Sequence, residues 1–332
     1  MDLGFKTDLF DPLTKGTGDD ALQLVTVHGD DGRPSYVYNR SIILAVNLAR
    51  AAGRPLFIAG RPGTGKTTLA ANVAWVLGWK YYQRVVTSRT RARDLQWTFD
   101  SLRRLSDAQE QNKALPPRAA YVQPQEFWWA FAPESARLRG ATSDEQPLVT
   151  PATDPARWVP STAATSGAQA VLLLDEIDKA DPDVPNDLLE VLDVERFQVD
   201  ELDKPLTVQA QPDRVLLMIT SNGERELPPA FLRRCVVLHL DDPTEEWLVR
   251  VANDRFGDTN AALHRQIAKR VMDLRDVARS RDLREPSTAE YLDAVAAVDK
   301  LGIKEDPKIW ELLENALLSK RDARDATEAA TA

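Results

Sequence analysis

Residues 60–67 read Gly60-Arg61-Pro62-Gly63-Thr64-Gly65-Lys66-Thr67, a glycine-rich turn that closes on a lysine and a hydroxyl residue. Glycines let successive backbone N–H groups curl around one point, which makes a cradle for phosphate oxygens. A lysine at the end of such a turn reaches the β- and γ-phosphates of a nucleotide, and the following hydroxyl can hold Mg2+. The turn follows the apolar run Leu56-Phe57-Ile58-Ala59 and opens a helical pattern that ends near Gly78. Strand, loop and helix in that order place the positive end of a helix on the same phosphates. Gly60, Pro62, Gly63, Thr64, Gly65, Lys66, Thr67 and Thr68 are therefore a candidate site for a nucleoside triphosphate.

Two acids follow a second apolar run, Val171-Leu172-Leu173-Leu174-Asp175-Glu176. Asp175 is placed to face a Mg2+ held by Thr67, making these two the candidate metal ligands. Glu176 can orient and deprotonate an attacking water; a strand end with two solvated carboxylates is the plainer alternative. A third run, 215–220, ends in Ser221-Asn222. Asn222 can hydrogen-bond the attacking water or the γ-phosphate, or simply occupy a turn. Arg233 and Arg234 precede the last apolar run. They are either solvated or an arginine finger, inserted into a neighbouring subunit's site to neutralise transition-state charge. The finger requires a ring of subunits, because arginines at this end of the sheet point away from their own nucleotide.

The elements that must position these residues are five strand-like runs, at 56–59, 81–87, 171–174, 215–220 and 236–240, with helical patterns between several of them. Near-continuous apolar strands alternating with helices predict a parallel sheet buried on both faces, an α/β fold. Ligands of such sheets bind at the carboxyl ends of strands, where the motifs above fall. Residues 1–35 read as a lead-in with one short strand-like run, 22–27. Asn39 caps a helix that runs to Ala52 and is stopped by Gly53 and Pro55. An insertion spans about 94–168 within a core of 36–242. It holds a helical stretch from Asp94 to about Gln111, the cluster Phe127-Trp128-Trp129-Ala130-Phe131, and a Pro/Thr/Ser/Ala-rich tract from about Thr142. The cluster reads as local core, because exposed tryptophan pairs are uncommon on soluble proteins. Residues 243–320 read as all helix. Thr244 caps the first; Leu263, Ile267, Val271, Leu274 and Ala278 mark one face of the second. Ser287-Thr288-Ala289-Glu290 is a capping-box pattern, and Pro307 opens a last helix. Residues 321–332 read as a frayed tail.

The 332 residues carry a formal net charge of -9, which argues against a protein that coats nucleic acid broadly. Cys235 is the single cysteine, so no intrachain disulfide forms. No apolar run approaches the roughly 20 residues that span a bilayer, and the N-terminus lacks a signal-peptide layout. The expected location is the cytoplasm.

Taken together, the motifs resemble those of AAA+ ATPases and, within that class, the MoxR family. Residues 60–67 match Walker A; 171–180, with Asp175-Glu176-Ile177-Asp178-Lys179-Ala180, match Walker B; 219–228 match sensor 1; and Phe231-Leu232-Arg233-Arg234-Cys235 match the finger region. Thr87-Ser88-Arg89-Thr90 with Asp94-Leu95, Asp187-Leu188-Leu189-Glu190, and Pro286-Ser287-Thr288-Ala289-Glu290 also look like that family. The resemblance covers about 36–300.

That resemblance implies an αβα core with a C-terminal helical lid, ATP and Mg2+ as ligands, hydrolysis to ADP and phosphate, and assembly into a ring, usually a hexamer. It implies an insertion near the second helix and a hairpin before sensor 1, which the alternating residues 196–209 around Asp203-Lys204-Pro205 suit. Many AAA+ proteins place a sensor 2 arginine at the start of the lid's third helix. Here residues 286–290 hold no arginine, and Arg284 just upstream is the residue that would serve. Members of the family remodel or assemble protein clients, often as chaperones working with a von Willebrand factor A-type partner. Any such partner of this chain would be a separate protein. Two other functions stay open. One is the ATPase subunit of a nucleic-acid-acting or defence complex, using Arg84, Arg89, Arg91, Arg93, Arg103 and Arg104. The other is a nucleotide-gated scaffold.

Overall fold

The computed structural model describes residues 9–19, 24–27, 35–110, 114–159, 169–281 and 283–301. The expected helix opening at Pro307 and the tail lie outside them. The first described strands are β1 (Gly16–Asp19), β2 (Leu24–Val27) and β3 (Tyr36–Asn39), an antiparallel three-stranded sheet in the order β1-β2-β3. The sequence reading had one short strand here; pairing with β1 and β3 supplies the rest of a small sheet that no single run advertises. Helix α1 (Arg40–Ala52) starts where expected. The Asn39 side chain accepts the Ile42 N–H at 2.9 Å, and Gly53, at φ 60°, donates back to Ala49 and Arg50.

Strand β4 (Leu56–Ala59) feeds α2 (Lys66–Leu77), which ends on Gly78 at φ 67°, and then β5 (Lys80–Val85). The insertion follows: β6 (Trp97–Phe99), α3 (Ser101–Gln109), β7 (Val122–Pro124), α4 (Glu126–Phe131) and α5 (Pro133–Arg137). The single helix expected from Asp94 is divided. A 3-10 turn over Ala92–Leu95 gives way to β6, and α3 starts only after Asp100, whose side chain accepts the Arg103 N–H at 2.9 Å. The reason is local. Trp97-Thr98-Phe99 are aromatic and β-branched, suited to a strand, and they pair antiparallel with β7.

Next come β8 (Ala170–Asp175), α6 (Val184–Asp187), α7 (Leu189–Val194), β9 (Arg196–Val199), β10 (Leu206–Gln209), β11 (Val215–Ser221), α8 (Pro229–Leu232) and β12 (Val236–His239). Strands β9 and β10 form the expected hairpin, Val199 opposite Leu206. Five strands make one sheet in the order β12-β4-β11-β8-β5, with every neighbouring pair parallel. The two strands carrying Asp175 and Asn222, β8 and β11, are adjacent, and β11 also neighbours β4, which carries the glycine-rich loop.

The apolar strands serve two cores at once. Val171 and Leu173 of β8, with Leu216 and Met218 of β11, face α1, α2 and the N-terminal sheet; Leu172, Leu174, Leu217 and Ile219 face the insertion. Phe127, Trp128, Trp129 and Phe131 are all buried, as local core. Trp128 and Phe131 pack their rings against Phe197 of the hairpin, and the Trp97 indole donates to the Gln198 carbonyl at 3.2 Å. The hairpin is thereby fastened to the insertion. Helices α9 (Glu245–Phe256), α10 (Ala261–Ser280) and α11 (Thr288–Leu301) bury a third, separate core around Leu248, Ile267, Val271, Tyr291 and Val295. Thr244 caps α9, and Ser287 and Glu290 form the reciprocal capping box of α11. Buried Arg275 donates to the carbonyls of Pro286 and Pro243, tying the approach to α11 to the approach to α9. Among the described residues no helix is long and apolar enough to cross a membrane.

Candidate functional site

The carboxyl ends of β4, β8 and β11 converge on a cavity of about 360 Å3, lined by the loop residues Gly63, Gly65, Lys66 and Thr67, by Asp175, Glu176 and Asn222, and by the lid. The loop bends as its glycines permit. Gly63 and Gly65 sit at φ 80° and 87°, a region that side chains resist. A Cβ on Gly63 would come within 2.5 Å of the Ser287 side chain, so the loop and the start of α11 are in direct contact here. Lys66 is buried at the loop's mouth, its Nζ donating to the carbonyls of Gly60 at 2.6 Å and Arg61 at 2.8 Å. Burial lowers its pKa from the ordinary lysine value, against the pull of Asp175, Asp178 and Glu176. Pro62 and Thr68 line the same cavity; Thr64, buried, donates its hydroxyl to the Arg61 carbonyl.

Asp175 is held in place by three hydrogen bonds, which leave acceptor capacity on Oδ1. Its Oδ2 accepts from the Thr67 hydroxyl at 2.9 Å and the Gln83 amide at 3.2 Å; its Oδ1 accepts from the Thr220 hydroxyl at 2.5 Å. Thr67 and Asp175, the two candidate metal ligands, are thus brought side by side, Thr67 Oγ1 against Asp175 Oδ2. This hard-oxygen donor set suits Mg2+, which keeps several waters and takes one or two carboxylate ligands beside substrate phosphates.

Glu176 leaves β8 in the left-handed region, φ 62° and ψ 49°, a conformation that costs about 1 kcal/mol or more for a non-glycine residue. Its N–H donates to Thr220 Oγ1 at 2.9 Å, which holds the turn. Its carboxylate accepts from Asn222 Nδ2 at 3.1 Å and from Lys179 Nζ at 2.7 Å. The hydrogen bond that Lys179 donates to Glu176 raises the Lys179 pKa. Asp178, buried, accepts from the backbone N–H groups of Asn222 and Glu224, fixing the loop that follows β11. The arrangement can polarise a water beside Glu176 and steady it with Asn222.

Arg233 and Arg234 lie elsewhere. The parallel register of β12 with β4 puts them at the amino end of the sheet, a strand's length from the cavity. Arg233 is exposed; Arg234 pairs with Asp193 at 2.6 Å and donates to the Ala230 carbonyl. Arg284 pairs with Glu290 at 2.9 Å and lines a neighbouring cavity of about 170 Å3. Beside it, Arg61 of the loop bonds Glu285, and Arg279 reaches both Glu285 and Asp242, so four alternating charges clasp the loop to the lid. Burial pushes the Glu285 pKa up, but hydrogen bonds from Arg279 and Arg61 outweigh it and hold the carboxyl below its ordinary value.

The sequence reading gave no role to Thr220, Gln83, Lys179 or Arg255. Thr220 left a signal, a hydroxyl inside an apolar strand beside two acids; Lys179 left a weaker one, three residues after Glu176. Gln83 and Arg255 left none, since only the sheet order and the lid's position bring them here.

A profile of the family described as AAA domain (dynein-related subfamily) matches residues 55–235, more than half of the chain. A Lon protease of Frankia alni is 27% identical over 252 residues, covering 75% of this chain and 22% of that protein. The peroxisomal Lon protease homolog 2 of Oryza sativa subsp. indica is 35% identical over 102 residues, 30% of this chain and 11% of that protein. The chain thus spans 22% or less of the length of these two relatives. Among solved structures, the RuvB Holliday junction branch migration motor of Thermotoga maritima aligns at 16% identity with a TM-score of 0.37, covering 80% of this chain and 70% of that one. A RuvB mutant from the same organism aligns at 17% identity with a TM-score of 0.38, covering 80% and 69%.

Proposed function

The chain belongs to the AAA domain family, dynein-related subfamily, and on that premise we propose that it is a Mg2+-dependent ATPase that works in an oligomeric ring to remodel or assemble a protein client, in the manner of MoxR-like chaperones. The observation that carries the reading is the hydrogen-bonded line from Thr67 through Asp175 and Thr220 to Glu176, and on to Asn222. It joins a phosphate loop, a metal-ligand pair and a base across three strand ends. Gly63, Gly65 and the start of α2 surround the phosphates with N–H groups, while the Gly60 N–H is held by the Ser221 carbonyl, and Lys66 neutralises the β- and γ-oxygens. Thr67 and Asp175 would hold Mg2+, which would offset the negative charge of the phosphate oxygens when bound. Glu176 takes the proton of the attacking water while Asn222 keeps the water in line. Arg233 or Arg234, at the far end of the sheet, serves a neighbouring subunit's site.

The protein client is preferred over nucleic acid because most of the basic cluster is already engaged. Arg84 pairs with Glu126, Arg93 stacks on Trp97, and Arg103 and Arg104 on Tyr121. The test is the mass of Glu176→Gln protein by light scattering, with and without ATP and Mg2+. A shift from one chain to about six supports a shared-site ring; a monomer in both states refutes it. Lys66→Ala abolishes nucleotide binding, and tight binding by that variant would sink the phosphate-loop assignment.

A further inference from the structure

The lid approaches the cavity with the start of α11 and the end of α9. Thr288 opens α11 and is 7% exposed, yet its hydroxyl has no hydrogen-bond partner among the described residues. It lines both the 360 Å3 cavity and the smaller one beside the loop. A buried hydroxyl without a partner costs free energy that a ligand oxygen would recover. The N-terminus of a 14-residue helix adds positive potential at the same point.

Charge is the second observation. Asp175, Glu176 and Asp293 line the cavity, against Lys66 from the loop. A nucleoside triphosphate brings further negative charge on the side facing the lid, where a lid cation would add to Lys66 and to the Mg2+ that Thr67 and Asp175 would hold. Arg255, in the last turn of α9, is the basic lid residue that lines this cavity. It is exposed, packs beside Phe256, and has no ion-pair partner among the described residues. Arg284 is differently placed. Its partner Glu290 is buried and also accepts from the Ser287 N–H and hydroxyl. Withdrawing Arg284 would strip a buried carboxylate of its cation, which is unfavourable.

We infer that this chain reads the terminal phosphate from the lid side with Arg255 and the Thr288 hydroxyl at the start of α11, and that Arg284 is a structural partner of Glu290. The inference rests on the nucleotide reading above. Arg255 then links the phosphate to the first lid helix, so that loss of the phosphate releases α9 as well as α11.

The experiment measures affinity for ADP and for a slowly hydrolysed ATP analogue in the full chain carrying Arg255→Ala, Arg255→Lys, Thr288→Val or Arg284→Ala. Expected is a tenfold or greater loss of triphosphate affinity in Arg255→Ala, with ADP affinity changed less than twofold. Arg255→Lys regains part of the loss, and Thr288→Val shows a smaller loss of the same kind. An unchanged ratio of triphosphate to diphosphate affinity in Arg255→Ala overturns the inference. So does a larger loss of discrimination in Arg284→Ala. A folding defect in any variant lowers both affinities together and leaves their ratio intact, so the ratio remains decisive. Should the unaltered chain bind neither nucleotide, the nucleotide reading itself fails, which is a separate outcome.

Discussion

Thr220 sits at the centre of the site without touching the cavity, and replacing it tests the whole hydrogen-bonded line. Its hydroxyl donates to Asp175 at 2.5 Å and accepts the Glu176 N–H at 2.9 Å, and the residue is fully buried. Thr220→Val keeps the shape and removes both bonds. Losing a hydrogen bond to a charged group costs about 1.5–3 kcal/mol, and stranding a buried N–H about 1–3 kcal/mol more. Allowing for relaxation, and because Asp175 keeps Thr67 and Gln83, the expected loss is about 3 kcal/mol. At roughly 2–4 °C per kcal/mol for a domain of this size, the melting temperature falls by about 6–12 °C. Thr220→Ser is the control. It retains the hydroxyl and gives up one buried methyl, about 1 kcal/mol. Urea unfolding followed by tryptophan fluorescence reads the core, where most tryptophans lie between residues 75 and 158. ATP turnover in the same variants should fall further for valine than for serine, since only valine frees the Glu176 turn. A valine variant as stable as the unaltered chain, or a serine variant that loses more than the valine one, refutes the reasoning.

Gly63→Ala should weaken nucleotide binding at least tenfold and loosen the lid, because φ 80° is strained for alanine and its Cβ meets Ser287 at 2.5 Å; wild-type affinity would contradict the contact. Burial pushes the Cys235 thiol pKa up to about 12, so a thiol reagent at neutral pH should label the native chain at least a hundredfold more slowly than the urea-unfolded chain, and fast native labelling would place the residue at the surface. Because the folded Glu285 carboxyl titrates below its ordinary value, its contribution to the loop–lid clasp is complete above that value and lost as pH falls through the folded one. Glu285→Gln should therefore flatten the acid limb of the stability profile, and an unchanged limb removes the clasp from the account. Arg234→Ala should lower turnover at least tenfold, and mixing it with Lys66→Ala should restore part of it; mixtures no more active than the sum of their parts would count against a shared site.

The glycine-rich loop, the Asp175-Glu176 pair, Asn222 and the five strands were legible in the sequence because each depends on local chemistry. A phosphate turn needs glycines followed by lysine and a hydroxyl residue, strands buried on both faces need unbroken apolar runs, and caps such as Asn39, Thr244 and Ser287 act within one turn of chain. Tertiary structure decided the rest, because those features depend on residues distant in sequence. The order β12-β4-β11-β8-β5 is what sets Gln83 against Asp175, 92 residues later, and Thr220 between Asp175 and Glu176. Trp97-Thr98-Phe99 is strand-prone by residue type, but its partner β7 comes from more than twenty residues further along the chain. The packing of the lid committed Arg284 to Glu290 and turned Arg255 to the cavity. A side chain's type says what chemistry it can perform; which partner it meets follows from the packing of the whole chain, where burial penalises every polar group left without one.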